Sequence, residues 1–305
     1  MGSVDGHRVV PLVDESALLG LGTLVDVRGL IPAEARGPLI ETLAGYAATA
    51  RGLGAERIAF VGTEPLRRAA DARAVVVAVE DATGVPLHVL DHHEEGLLTL
   101  LGATSGRAVA ADLLVVDIGG GSTQLVIVGP GRRASATGLR VGGARLTASH
   151  VTHDPPTGSE IAELRAAAAA ALAAAPEAAP TAIVAVGGTA SNVVKIVPAA
   201  LGDRVLTPER LDAAFELLRA APAAEVAARY GIRPQRARIL AAGAALLEAI
   251  FACYGVPRAT ASEEGIREGT VLALARAGAA WRDRLEALAH GWGADGPGSV
   301  TDHDP

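Results

Sequence analysis

The sequence predicts an α/β protein of about two domains, and three observations support that fold class. Short runs rich in Val, Ile and Leu alternate with longer segments of helical character along the chain. Half of the residues are apolar, so the chain can bury a large core. At 305 residues the chain is also longer than a typical single domain.

The predicted elements follow one another as alternating strands and helices. Strands are predicted at 57–61, 87–90, 113–117, 125–128 and 182–186, with helices at 32–53, 69–83, 94–101, 158–175 and 207–218. Two α/β blocks joined near residues 102–106 are the simplest arrangement. The apolar run 239–254 is short for a membrane span and carries Glu248, so it predicts a buried helix.

Composition excludes several classes of protein. A net charge of −7 and 3% aromatic residues argue against a nucleic-acid surface, which needs basic side chains and stacking rings. Residues 1–10 show no secretion signal, so we expect a cytoplasmic protein that does not interact with membranes. The single cysteine, Cys253, cannot form an internal disulfide, and its apolar surroundings predict burial. The Gly-, Asp- and Pro-rich segment 291–305 predicts a disordered tail.

A glycine loop between two apolar runs is the most informative motif. Asp117 ends the first run, and the loop that follows consists of Gly119, Gly120, Gly121, Ser122 and Thr123. Glycines let successive N–H groups point into one anion-sized hollow, and the two hydroxyls are further donors. Asp117 can hold a divalent cation. The pattern therefore predicts a phosphate and metal site, although an ordinary hairpin turn would use the same glycines.

A second loop of this kind follows a later strand. Gly187, Gly188 and Thr189 separate the apolar run 182–186 from a helical segment. The N-terminus of a helix binds anions readily, so two such loops predict two phosphate-facing hollows across one cleft.

Charged residues at two further helix starts are candidate catalytic groups. Arg67 lies in the segment 61–69, and Glu94 and Glu95 open the segment 94–102. Taken alone, Arg67 is typical of a solvated surface arginine, and the two glutamates are typical of carboxylates that stabilise a helix N-terminus. The adjacent pair His92 and His93 does not favour a metal site, because neighbouring side chains point in different directions.

Together with residues 262–269, these segments resemble, in this order, the Ppx/GppA family of exopolyphosphatases and guanosine pentaphosphate phosphohydrolases. The likeness spans roughly residues 8–280. It implies two ribonuclease-H-like domains of the actin, sugar-kinase and heat-shock chaperone superfold around a central cleft. It also implies hydrolysis of a terminal phosphoanhydride with Mg²⁺ as cofactor.

The resemblance assigns roles to the motif residues. It implies that Arg67 binds phosphate, that Glu95 activates water with Glu94 in support, and that the first glycine loop binds phosphate and metal. Asp117 and Gln124 become the metal ligands. Arg145 and Arg267 are interpreted as structural residues or distal anion contacts, with an exposed strand edge as one setting for Arg145.

The chain departs from the family pattern at three places. The family opens with a strand and hairpin of the form Asp-x-Gly-Ser-Asn-Ser, whereas residues 5–12 resemble the second or third strand of that sheet. We therefore expect an incomplete start that leaves strand edges exposed. Gln124 replaces the usual glutamate, which should weaken cation binding. Gly96 replaces the usual alanine, a change that weakens an isolated helix by roughly 1 kcal/mol.

Three functions remain open at this point. The first is hydrolysis of polyphosphate or guanosine pentaphosphate, the second is binding of these ligands without turnover, and the third is a kinase of the same superfold. The predicted domains are 1–103, joined by a returning helix near 275–290, and 104–275. Family members often dimerise through the second domain, so the run 239–254 can serve either a homodimer or the core.

Overall fold

The computed structural model describes residues 1–17 and 19–292. The described residues form ten strands, which are β1 (Gly2–Asp5), β2 (Arg8–Pro11), β3 (Phe60–Gly62), β4 (Leu87–Val89), β5 (Leu113–Ile118), β6 (Thr123–Val128), β7 (Ser135–Leu139), β8 (Ala182–Val186), β9 (Val205–Leu206) and β10 (Ala259–Ala261).

The α-helices in the same ranges are α1 (Leu21–Arg28), α2 (Ala33–Gly52), α3 (Glu64–Arg68), α4 (Ala72–Thr83), α5 (His92–Thr104), α6 (Gly143–His150), α7 (Gly158–Leu172), α8 (Gly187–Ile196), α9 (Pro208–Ala220), α10 (Ala223–Tyr230), α11 (Pro234–Arg238), α12 (Leu240–Tyr254), α13 (Ile266–Ala277) and α14 (Leu285–His290). None of them is both long and apolar enough to span a membrane. We call β1–β4 with α1–α4 the N-terminal lobe, and β5–β10 with α5–α12 the C-terminal lobe, because α5 packs on the strands β5–β8.

One six-stranded sheet organises the C-terminal lobe, with the strand order β7-β6-β5-β8-β10-β9. β5, β6 and β7 form an antiparallel meander, and β8 and β10 continue the sheet in parallel with β5. In this register Asp117 lies directly opposite Gln124. Residues that face each other in an antiparallel pair project to the same side of the sheet, so both side chains point toward the same helix layer.

The helix α12 forms the centre of one helix layer. Its sequence is apolar all round, and it packs against α7, α6 and α9 beneath the sheet. The prediction of a buried helix at 239–254 is thus confirmed. The sequence left open whether this helix forms a homodimer interface or part of the hydrophobic core, and its burial shows that it is part of the core. The predicted burial of Cys253 is wrong, because this residue lies on the outer side of the last turn and is exposed.

The opposite layer is built on α5, which crosses α13 at close range. A Cβ on Gly269 would overlap the backbone oxygen of Leu98, so only glycine allows this crossing. Helix α14 packs on α5 as well, and its position fits the predicted return of the chain near 275–290. The boundary between residues 103 and 104 stays a prediction.

The N-terminal lobe contains two separate strand pairs. β1 and β2 form an antiparallel hairpin, whereas β3 and β4 are parallel. Within residues 1–17 and 19–292, neither strand of one pair is hydrogen-bonded to a strand of the other pair, and no further strand joins the two pairs. The predicted tail begins at Gly291, but Trp292 is buried and stacks on His290 at 4.0 Å between ring centroids. The rest of that prediction, residues 293–305, lies outside the described residues.

Candidate active site

The loop between β5 and β6 presents a row of backbone donors. Its turn is closed by Gly119 N–H, which donates to Ser122 O at 2.9 Å. In the described part of the chain, the N–H groups of Gly120, Gly121 and Ser122 have no hydrogen-bond acceptor. Adjacent unsatisfied N–H groups that no side chain obstructs are a suitable binding site for phosphate oxygens.

The hydroxyl of Thr123, which the sequence offered as a donor, and that of Thr189 both hydrogen-bond to backbone carbonyls of the protein. Thr123 is fully buried, and its Oγ1 donates to Val141 O at 2.7 Å. Thr189 Oγ1 donates to Ile118 O at 2.9 Å, which ties the second glycine loop to the end of β5. The expectation that the Thr123 hydroxyl donates to phosphate is therefore wrong, whereas the phosphate-binding role of Thr189 stays a prediction. Buried hydroxyls satisfy the nearest carbonyl because leaving it unpaired is costly.

The second loop starts α8 directly beside Asp117. Gly187 has a φ of +80°, and a Cβ on it would lie 2.5 Å from Asp117 Oδ1. Only glycine can occupy this place, for reasons of both backbone conformation and space. The first N–H groups of α8, including that of Gly188, have no partner inside the helix, so this end of α8 has the geometry of an anion site, and anion binding there stays a prediction.

Arg67 and Glu95 form an ion pair between α3 of the N-terminal lobe and α5. Arg67 lies on α3, and its Nη1 donates to Glu95 Oε2 at 2.9 Å and to Leu90 O at 2.6 Å. Its Nη2 lies 3.1 Å from His92 Nδ1. Both paired side chains are largely buried, which holds them in one geometry. These three contacts use three of the five N–H donors of the guanidinium and leave two for an anion.

Asp117 lies close enough to this pair to be affected by its charge. Burial and the negative charge of Glu95 together raise the pKa of Asp117 to about 6, against the opposing effect of the positive charge of Arg236. The structure therefore brings together Asp117, Glu95 and Arg67, the three side chains on which the sequence interpretation depends. Their catalytic roles remain predictions.

Gln124 occupies the position opposite Asp117 and is buried at 3% exposure. Its Nε2 donates to His92 O at 3.2 Å, while its Oε1 has no hydrogen-bond partner. A buried carbonyl oxygen without a partner is unusual and can serve as a cation ligand. Among the described residues, however, no three His, Cys, Asp or Glu side chains are clustered to hold a metal ion. Asp117 and Gln124 thus fit a cation that takes its remaining ligands from substrate and water.

Glu94 points away from this group of residues. Its Oε2 accepts from Asp91 N–H at 3.0 Å, and its N–H donates to Asp91 Oδ1 at 2.8 Å, which closes a capping box at the start of α5. Its Oε1 accepts from Arg282 Nε at 2.7 Å. These contacts match the helix-cap interpretation of Glu94. His93 likewise turns outward to Glu286 at 2.8 Å, so the two histidines do not share a ligand.

The sequence interpretation missed Arg236. This exposed residue lies on the short helix α11, and its Nη1 is 3.5 Å from the position that a Cβ on Gly188 would occupy. Its charge also acts on Asp117. Nothing in the local sequence marks it, because α11 reaches the second glycine loop only through the packing of the C-terminal lobe.

Comparison with known proteins identifies the family. A sequence model of the Ppx/GppA phosphatase family matches residues 2–277, which is most of the chain. The chain belongs to the Ppx/GppA phosphatase family. The family resemblance inferred from the motifs is thereby confirmed.

Curated and solved Ppx/GppA proteins show how far the similarity extends. Exopolyphosphatase 1 of Mycobacterium tuberculosis is 28% identical, over 88% of this chain and 83% of that protein. Guanosine-5'-triphosphate,3'-diphosphate pyrophosphatase of Vibrio cholerae is also 28% identical, over 76% of this chain and only 47% of that protein.

Solved Ppx/GppA structures show the fold. An exopolyphosphatase of Cytophaga hutchinsonii superposes with a TM-score of 0.74 at 20% identity, covering 90% of this chain and 92% of that one. The Aquifex aeolicus family member gives 0.74 at 23%, with coverages of 88% and 90%. The predicted two-domain fold of the actin, sugar-kinase and chaperone superfold is confirmed.

Proposed function

We propose that this Ppx/GppA protein hydrolyses terminal phosphoanhydride bonds of inorganic polyphosphate and releases orthophosphate. The observation that carries the proposal is the convergence of the Arg67–Glu95 pair with Asp117, beside two glycine loops that present unsatisfied N–H groups. The similarity to mycobacterial exopolyphosphatase over 83% of that protein favours polyphosphate as the substrate.

The arrangement can stabilise a transferring phosphoryl group. N–H groups of Gly120, Gly121 and Ser122 would bind its equatorial oxygens, together with the two free donors of Arg67. Glu95 would accept a proton from the attacking water, since a carboxylate within hydrogen-bond reach orients and activates it. Arg67 is paired with Glu95 Oε2, which leaves Oε1 for that water.

The charge balance of the site favours a cation with the substrate. Glu95 and Asp117 offset Arg67 and Arg236, so the side chains alone leave little net positive charge for a multiply charged anion. Asp117 and Gln124 would hold Mg²⁺, which typically takes one or two protein ligands plus phosphate oxygens and water. When bound, the ion would neutralise charge on the phosphate oxygens.

Two alternatives share this site. Guanosine pentaphosphate carries the same terminal phosphate, and the Vibrio relative is named for a substrate of that kind, although this chain spans about half of its length. A binding protein with little turnover is the other alternative. It is favoured by Gln124, which lacks the charge of a carboxylate at the cation position.

Release of orthophosphate tests the proposal. Wild-type protein, Glu95→Gln and Glu94→Gln would be assayed with polyphosphate and with guanosine pentaphosphate, each with Mg²⁺ and with a chelator. We expect release with Mg²⁺, and a fall in kcat of about 10²–10⁴ for Glu95→Gln, because the general base is lost. Glu94→Gln is the matched control, because the Glu94 carboxylate is adjacent in sequence but is used in a helix cap and an ion pair.

The outcomes separate the candidates. Faster release from guanosine pentaphosphate than from polyphosphate would support the first alternative. Tight binding by calorimetry without release would support the binding protein. Equal losses in both glutamate variants would contradict the assignment of Glu95 as the base, because the cap would then explain them.

A further inference from the structure

A cluster of four charged side chains joins the two lobes next to the first glycine loop. Arg145 projects from α6 of the C-terminal lobe, and its Nη2 lies 2.8 Å from Asp26 Oδ2 and 3.6 Å from Glu64 Oε1. Both carboxylates belong to the N-terminal lobe. Arg68 completes the cluster, with its Nη2 at 2.7 Å from Asp26 Oδ1 and its Nη1 on Glu64. Arg140 lies at the edge of the cluster, with its Nη2 at 3.9 Å from Asp26 Oδ1. We call Arg145, Asp26, Glu64 and Arg68 the clasp.

Arg145 also contacts the loop itself. Its Nε donates to Gly121 O at 3.2 Å, and its own N–H donates to Gly120 O at 3.0 Å. The same residue therefore fixes two carbonyls of the loop and two carboxylates of the other lobe. A peptide group whose carbonyl is held in place also has a fixed N–H direction, and those N–H groups are the proposed phosphate donors.

On the other side, the clasp ends on the helix that carries Arg67. Helix α3 is only five residues long, with Glu64 as its first residue and Arg68 as its last. Arg67 lies between them and holds Glu95. A movement of α3 would therefore shift the clasp and the Arg67–Glu95 pair together.

The surroundings of the clasp show that it forms a specific contact. Glu64 is 5% exposed, and its Oε2 lies 3.5 Å from where a Cβ on Gly121 would be, so the two lobes meet closely here. Burial alone would raise the pKa of Asp26, yet hydrogen bonds from Arg68 and Arg145 keep it below its usual value. Partly buried ion pairs of this kind hold a defined geometry, because breaking one leaves a charge without its partner.

We infer that Arg145 is a positioning residue whose ion pairs with Asp26 and Glu64 hold the Gly119–Ser122 loop in register with Arg67. The two halves of the phosphate site then close as one unit. Arg145 acts through the loop carbonyls and through α3, without contacting the reacting atoms. The kinetic part of this inference rests on the proposed function, whereas its structural part does not.

The structural test measures the distance between the lobes. In a Cys253→Ser background, spin labels would be attached at Ala48→Cys on α2 and Ala224→Cys on α10, both exposed positions on separate lobes. Pulsed electron paramagnetic resonance should give one narrow distance for the otherwise native protein. With Arg145→Gln we expect the distribution to broaden and shift by more than about 2 Å, the scale of a domain rearrangement.

A matched control separates the clasp from the general loss of an ion pair. Arg210 is as buried as Arg145, at 22% against 26% side-chain exposure, and pairs with Asp203 inside the C-terminal lobe. Arg210→Gln should leave the distance distribution unchanged. An unchanged distribution in Arg145→Gln would overturn the inference whether or not the protein hydrolyses phosphate.

The kinetic test distinguishes positioning from direct anion binding. Because a misplacement of about 1 Å can cost roughly 100-fold in rate, we expect kcat for phosphate release to fall at least about 10-fold in both Arg145→Gln and Asp26→Asn. Their combination should cost no more than either alone, because both substitutions break the same ion pair. If Asp26→Asn retains the wild-type kcat while Arg145→Gln raises KM, then Arg145 is an anion ligand and the inference fails.

Discussion

Replacing Gly96 by alanine has two opposite effects on the free energy of unfolding: alanine favours the helix, but its Cβ overpacks the contact between α5 and the sheet. Gly96 lies in the first half of α5, next to Glu95, and faces β7. A Cβ there would lie 3.1 Å from Val126 Cγ2 and roughly 1 Å inside van der Waals contact with the Cβ of Ala136. Glycine at this position weakens the helix, as expected from the sequence, but it allows α5 to lie close to the sheet.

The structure also shows why α5 cannot withdraw from this contact. On its far side, the α13 backbone meets it at Gly102 and Gly269, where a Cβ would overlap backbone oxygens. Overpacking between two fixed layers costs about 1–3 kcal/mol, with the upper part of that range expected here. The gain in helix propensity from glycine to alanine is about 1 kcal/mol. The packing cost exceeds this gain, so we expect Gly96→Ala to lose about 1–2 kcal/mol in free energy of unfolding.

Thermal unfolding followed by circular dichroism measures this effect. For a chain of this size the loss corresponds to a fall in Tm of about 2–6 °C. Ala136→Gly removes the opposing methyl group, so the double variant should recover most of the loss even though Ala136→Gly alone costs about 0.5–1 kcal/mol. A Gly96→Ala protein that melts above the wild type, or a double variant without recovery, would refute the packing argument.

Two further substitutions test the site and the helix crossing. The folded pKa of Asp117, about 6, lies above its usual 3.8, so without a cation the stability that it contributes below pH 4 is lost as pH rises through 6. The whole loss is about 3 kcal/mol, of which about 2 kcal/mol falls between pH 4.5 and 7.5, and thermal melts at these two pH values should show that part in the wild type but not in Asp117→Asn. Gly269→Ala should cost about 3 kcal/mol, because its Cβ would overlap Leu98 O, and a wild-type Tm would contradict this.

The sequence predicted those parts of the site that depend on local rules. The glycine loop, its flanking strands and the helix start at Gly187 follow from backbone conformations that few other residues adopt. Buried strands and the helix 239–254 follow from continuous apolar runs. Arg67 and Glu95 were selected only through the family resemblance, because an arginine and a glutamate in first helical turns are common in any protein.

The missed features depend on contacts between distant segments. Arg145 and Asp26 are 119 residues apart, and Arg236 reaches Asp117 only because α11 packs beside α8. No pattern within one element reveals such pairs. The same reason explains Thr123, whose hydroxyl is directed to Val141 O by a neighbouring segment that the local sequence does not specify.

Two opposing electrostatic effects act at the cleft: repulsion between Asp117 and Glu95, which helps to raise the pKa of Asp117, and attraction within the clasp. Bringing Asp117 near Glu95 is unfavourable while both are ionised, and Arg67 is already engaged by Glu95. The ion pairs of Arg145 with Asp26 and Glu64 lie outside this repulsion but hold the same two lobes together. Under the proposed function, the protein thus keeps the proposed phosphate donors and its two acidic groups in place before a cation or substrate arrives. Less reorganisation is then needed when the phosphoryl group binds, which is how preorganised sites lower a reaction barrier.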